Sequence, residues 1–165
     1  MKPTIFSLFS LAAAAAVSSI ALPSVAHAAS DPTNDLSAIY SKTDSAADRK
    51  DVDGCLAYHS QNFMELDSLG KVETTDQERA RLQSLFDSVG EMDVSTRIDK
   101  CDYADKTATV LITQHIKMTV TSPDSGKLIP VSGDIQAREL WTKDSSGWKM
   151  DVAQTLTTAQ LTPDE

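Results

Sequence analysis

Two polar residues interrupt stretches that otherwise alternate between apolar and polar positions. Gln114 falls between Ile112 and Ile116, and Glu139 falls between Ala137 and Trp141. Both point inward wherever that alternation holds. A buried carboxylate is costly unless it is paired or protonated. Glu139 is therefore a functional acid, a hydrogen-bond partner of Gln114 or Tyr40, or an outward residue of a strand read one position out of register, since a one-residue slip exchanges the faces. Asp67, just ahead of Gly70, suits the start of a turn, where Asp bonds its own backbone. At the rim of an apolar pocket the same carboxylate would have its pKa raised by desolvation and could move a proton near neutral pH. His59 closes a helical pattern and reads as a surface or capping residue, and His115 falls on an outward face. Cys55 and Cys101 are either a disulfide or two separate buried thiols. Neither belongs to a C-x-x-C motif.

The chain offers no other recognisable chemistry. It contains no Gly-rich phosphate loop, G-x-S-x-G elbow, zinc-spaced His/Cys cluster or EF-hand loop, so neither a metal nor a cofactor is expected. Of 165 residues, 15 are Lys or Arg and 24 are Asp or Glu, for a formal net charge of −9. That balance disfavours a phosphate-binding surface, and nucleic acid is not an expected partner. Lys2, the apolar stretch Ile5 to Leu22 and the small-residue signature Ala26-His27-Ala28 read as a signal peptide over residues 1–28, with cleavage before Ala29. The alternative is an N-terminal membrane anchor, against which stand the diluting serines Ser7, Ser10, Ser18 and Ser19 and the lack of a basic stop. Cleavage implies a periplasmic or secreted protein with no remaining membrane span. Such a compartment permits a Cys55–Cys101 bridge.

Positioning these side chains requires helices first and strands afterwards. Asn34 to Arg49 places Leu36, Ile39, Tyr40, Thr43, Ala46 and Ala47 at helical spacing, with Asn34 or Asp35 as the N-cap. Asp51 to Ser60 repeats the pattern as a second helix. Phe63 to Asp67 is a brief extended run, followed by the turn Ser68-Leu69-Gly70-Lys71. A capping box at Thr75-Asp76-Gln77-Glu78 opens a third helix, with Leu82, Leu85 and Phe86 buried, that stops at Gly90. From Met92 onward the period is two: Met92 to Tyr103, Thr107 to Thr121, Ile135 to Thr142 and Trp148 to Leu156 read as strands. Trp148, Met150 and Val152 share one side of the last. The expected fold class is α+β, with three N-terminal helices packed on a curved, mainly antiparallel sheet forming a cone with a central pocket. It is one domain over 29–165 with its core at about 35–156.

Several strings support a family resemblance. Lys50-Asp51-Val52-Asp53-Gly54, then Asn62 to Lys71, then Glu139-Leu140-Trp141-Thr142-Lys143 with Gly147-Trp148-Lys149-Met150 resemble, in order, motifs of the nuclear-transport-factor-2-like superfamily. That group of α+β cones includes ketosteroid isomerases and SnoaL-like polyketide cyclases. Counting from the Asp51 string, the resemblance puts the isomerases' general base on Asp67 and their oxyanion-stabilising tyrosine on Thr43, with Tyr40 one turn earlier. It also implies a homodimer formed through the outer sheet face of Leu111, Thr113 and His115.

Three function classes follow. The first is an exported module holding a small apolar or amphipathic ligand, with Tyr40, Met64, Gln114 and Trp141 in contact with it and Leu66 and Met118 adding greasy lining. The second is a cofactor-independent isomerase, cyclase or dehydratase, with Asp67 as base and Glu139 assisting. The third is an interaction or scaffold protein whose cone is filled by those same side chains. The discriminating geometry is whether the cone is hollow and whether Asp67 shares it with Gln114 and Glu139. An Asp67 facing bulk solvent removes the enzymatic reading.

Overall fold

The computed structural model describes residues 31–122, 126–157 and 162–163. Residues 1–28, where a signal peptide is expected, lie outside them. Among the described residues, three helices and seven strands follow in the order α1 (Thr33–Asp48), α2 (Val52–Leu56), β1 (His59–Leu66), β2 (Val72–Thr74), α3 (Thr75–Ser88), β3 (Met92–Ala104), β4 (Thr107–Thr121), β5 (Leu128–Asp144), β6 (Gly147–Thr157) and β7 (Thr162–Pro163). The sheet runs β2-β1-β6-β5-β4-β3, with β7 paired to β5. All pairings are antiparallel except β1 with β6, which is parallel. The helices therefore do more than precede the sheet, because β1 and β2 lie between them in sequence. Among the described residues, no helix is long and apolar enough to cross a membrane.

α1 buries Leu36, Ile39, Tyr40 and Ala46, the stripe its helical spacing predicts. It opens one residue before the expected caps, where the Asp31 carboxylate accepts from Thr33 N and Oγ1. Its polar side serves β3, an edge strand with spare amides. Asp44 accepts from Thr96 N at 2.8 Å and Asp48 from Val94 N at 2.8 Å. Carboxylates four apart on the helix thus meet amides two apart on the strand. α2 is shorter than expected, with Asp51 as its N-cap accepting from Gly54 N. Gly54 is needed for close helix approach, since a Cβ there would lie 2.7 Å from the Ala46 Cβ.

Two local irregularities reset strand faces. In β5 and β6, Leu140 pairs with Val152 but Trp141 pairs with Met150, so Asp151 is an extra residue. Met150 faces the helices and Val152 the outside, which corrects the expectation that Trp148, Met150 and Val152 share one side. In β1 the register against β6 shifts between His59 and Met64, and the His59 and Phe63 rings stack with centroids 3.7 Å apart. β5 also begins at Leu128, well before the expected Ile135, because Pro130 and Gly133 break the apolar signal there. Trp141, Val110 and Leu36 are fully buried between α1 and β4–β6. A second cluster joins Val89, Val94, Ile116, Met118 and Val131, and a third joins Val52, Leu56 and Phe86.

Candidate functional site

A cavity of about 260 Å³ lies inside the cone between these clusters. Its apolar walls include Phe63, Leu82, Phe86, Ile112, Ile116 and Ala137, and its polar lining includes Tyr40, Asp44, His59, Glu65, Glu78, Arg81, Gln114 and Glu139. The cone is hollow.

Glu139 points inward, as alternation along β5 requires, and is 6% exposed. Tyr40 Oη donates to Glu139 Oε2 at 2.5 Å and Trp141 Nε1 donates to the same oxygen at 2.9 Å. Of the readings open for Glu139, pairing with Tyr40 is the observed one, and it leaves Oε1 for the cavity. Burial raises the Glu139 pKa from 4.5 to about 7, against the lowering effect of those two donors. Burial and the Glu139 charge together push the Tyr40 phenol well above its ordinary range. Gln114 also lines the cavity and donates to Thr96 Oγ1 at 3.2 Å. Thr43 lines it too, its hydroxyl bonded to the Tyr40 carbonyl at 3.0 Å.

Five residues expected in or beside the cavity lie elsewhere, among them Met118, which packs in the second cluster. Asp67 is a turn residue: its Oδ1 accepts from Leu69 N and from Lys71 N, each at 2.8 Å, and it lies outside the cavity lining. Local amides within reach of a short carboxylate hold it there. Met64 is 44% exposed on the outer face, because Phe63 and Glu65 take the inward positions of β1. Leu66 shares Met64's side, the result of a strand read one residue out of phase. Trp141 is fully buried, packed edge-to-face on Tyr40 at 5.7 Å between centroids, and belongs to the core rather than the cavity wall.

The thiols are free. The Cys55 Sγ lies 4.0 Å from the Thr43 carbonyl, while Cys101 meets Thr33 at the start of α1. Ten residues of helix separate those contacts, about 15 Å along the axis, so of the two open readings separate thiols is the observed one. Burial first, then the charges of Asp51, Glu78 and Asp44, push the Cys55 thiol up to about 11.

Sequence reasoning missed a polar group on the opposite wall. α2 ends at Leu56, so His59 opens β1 instead of closing a helix, and its side chain is 7% exposed. The capping box is formed by Thr74 and Gln77, one residue earlier than expected, which releases Glu78 from capping. Glu78 Oε2 comes within 3.5 Å of His59 Nδ1, and neither atom has a hydrogen-bond partner. Burial and then Glu65 raise the Glu78 pKa from 4.5 to about 7, while burial and then Lys149 lower that of His59 from 6.5 to about 4. Arg81 ties this wall together, meeting Glu65 at 2.6 Å, Glu73 at 3.2 Å and Glu78 at 3.8 Å. The Thr74-x-x-Gln77 spacing was the available signal.

No family model matches the chain, and no curated protein matches it. Solved structures do. A candidate scytalone dehydratase from Novosphingobium aromaticivorans aligns with a TM-score of 0.66 at 12% identity, over 79% of this chain and 85% of the other. A nuclear transport factor 2-like superfamily protein from Salmonella enterica aligns at 0.58 and 12% identity, over 74% and 88%. A ketosteroid isomerase-like protein from Erwinia carotovora atroseptica aligns at 0.57 and 17% identity, over 78% and 99%. Similarity at that level carries architecture and no activity. The chain has the nuclear-transport-factor-2-like fold, the α+β cone also described as cystatin-like.

Proposed function

We propose that the protein holds one small amphipathic molecule inside the cone. The supporting observation is the cavity of about 260 Å³, whose apolar walls meet a few polar side chains, Gln114, Glu65 and Glu139 among them. A concave apolar site with a few convergent polar groups suits a small ligand. A filled cone would contain no such space. The isomerase, cyclase or dehydratase reading loses its base, because Asp67 is held in a turn outside the cavity lining. Titration with cyclohexylmethanol, followed by amide NMR, should move the resonances of Ile112, Ala137 and Ala153 together; unmoved cavity resonances would remove the reading. Export through residues 1–28 is a companion proposal, resting on the sequence signature, and intact mass of exported protein beginning at Ala29 is its test.

A further inference from the structure

Resting on that ligand-binding reading, we propose that β2 and α3 form a lid over the cavity, latched to β1 by Arg81, and that the ligand enters and leaves when this lid opens. α3 packs chiefly on α2, β1 and β2. Its Leu82, Leu85 and Phe86 line the cavity together with Ile112, Ala137 and Met150 of the sheet. The hollow thus takes the place of a packed partner along much of the helix's apolar face. Of the fourteen residues of α3 only Phe86 is buried, whereas α1 buries Leu36, Ile39, Tyr40 and Ala46. An element with few buried apolar contacts opens at lower cost than the rest of a fold.

The two ends of this segment are held differently. Past the helix the chain is pinned to β4: Gly90 N donates to the Thr119 carbonyl at 2.8 Å, Glu91 N to Thr119 Oγ1 at 2.9 Å, and Thr119 N to the Glu91 carbonyl at 2.9 Å. A Cβ at position 90 would lie 2.1 Å from Thr119 Oγ1, so this anchor requires glycine. Ahead of the helix, β2 is an edge strand that pairs with β1 over three residues and follows the exposed turn at Leu69 and Gly70. Opening therefore swings the β2 end outward about the fixed Val89–Gly90 end. Arg81 stands against that motion. From α3 its guanidinium reaches Glu65 on β1 at 2.6 Å and Glu73 on β2 at 3.2 Å. Glu73 moves with the lid, so the bond to Glu65 is the one that fastens it to the wall. The Arg79–Asp53 pair also joins α3 to α2, but it stands in solvent and contributes little.

Amide hydrogen exchange of the purified protein, followed by NMR, tests the lid. The amides of Leu82, Leu85 and Phe86 should exchange as one group, at least about tenfold faster than those of Ile39, Tyr40 and Ile112. Arg81→Met should speed the α3 group by a further factor of about five to ten and leave the others unchanged. Glu65→Gln supplies the same comparison should the Met variant fail to fold. In NMR line shapes of cyclohexylmethanol, the variant should raise the association and dissociation rates by one common factor, because a gate alters passage and not the bound state. Protection of α3 equal to that of α1, or an Arg81→Met effect spread evenly over all elements, overturns the lid. Probe rates that stay fixed while α3 exchange quickens overturn its role as the gate. A probe that moves no cavity resonance removes the ligand-binding reading, and the exchange rates then decide the lid by themselves.

Discussion

The Tyr40 hydroxyl donates to Glu139 across 2.5 Å, joining the middle of α1 to the centre of β5 inside the cone. With Trp141 donating to the same carboxylate oxygen, the carboxyl group buried in the core is held by two donors that are themselves packed on each other. Such a network rigidifies when satisfied and is costly when partly dismantled. Tyr40→Phe should therefore destabilise the fold by about 1.5–3 kcal/mol, the range for hydrogen bonds to charged groups. Urea unfolding measures this, and a double-mutant cycle with Glu139→Gln should show non-additivity. A Tyr40→Phe midpoint equal to the parent's would contradict the arrangement.

Stability should peak in mildly acidic solution. Glu139 and Glu78 have folded pKa values raised from 4.5 to about 7 by burial. A raised pKa gives stability that is complete below the unfolded value and lost as pH rises through the folded one. His59 has the opposite sign: lowered from 6.5 to about 4, it contributes stability above 6.5 that disappears as pH falls through 4. Urea midpoints measured across this window should fall on both sides of the maximum. Glu139→Gln or Glu78→Gln should flatten the alkaline limb and His59→Phe the acid limb; an alkaline limb that both Gln variants leave intact would refute the assignment.

Much of the fold was legible because long alternating strands advertise their faces. Along β4, Val110, Ile112, Ile116 and Met118 are all buried, as the period of two demands. The inward placement of Gln114 and Glu139 followed from that same period. What was not legible came from short elements and irregularities, where one residue changes the outcome. A helix ending at Leu56 turned His59 inward, a capping box starting at Thr74 released Glu78, and β1 read out of phase exchanged Met64 for Phe63 and Glu65. The extra residue at Asp151 and the parallel β1–β6 pairing are products of long-range packing, which local periodicity does not encode.

Asp67 should behave as a turn residue and nothing more. Asp67→Asn keeps an acceptor for the Leu69 and Lys71 amides, so it should leave stability and probe binding nearly unchanged. Asp67→Ala removes that acceptor and should cost about 1 kcal/mol, comparable to losing a helix cap. Loss of probe binding in Asp67→Asn, measured by calorimetry on folded protein, would return the residue to the site.

The outer face of the sheet suits self-association, which we propose on the strength of the fold resemblance. Leu111 is half-buried there, Thr113 bonds Asp99, and His115 contacts Asp134 at 2.6 Å, giving a surface of mixed polarity. Symmetric interfaces of moderate polarity have this character. Light scattering at micromolar concentration should give a dimer mass, and Leu111→Glu should reduce it to a monomer. A monomeric parent would end the proposal.

The thiols provide the last test, because their separation follows from the length of α1. Cys55 meets Thr43 and Cys101 meets Thr33, contacts about 15 Å apart along the helix. A disulfide tolerates Cα atoms no more than about 7 Å apart, so bridging would require α2 or β3 to leave α1. β3 is fixed to that helix by Asp44 and Asp48 through its own amides. Unfolded, unreduced protein should therefore titrate with two free thiols, and reductant should leave the urea midpoint of the native protein unchanged. Both thiols have raised pKa values, Cys55 reaching about 11 through burial and its acidic neighbours, so native-state alkylation near neutral pH should be slow. Absence of free thiol in unfolded, unreduced material would mean that α1 does not hold the two cysteines apart.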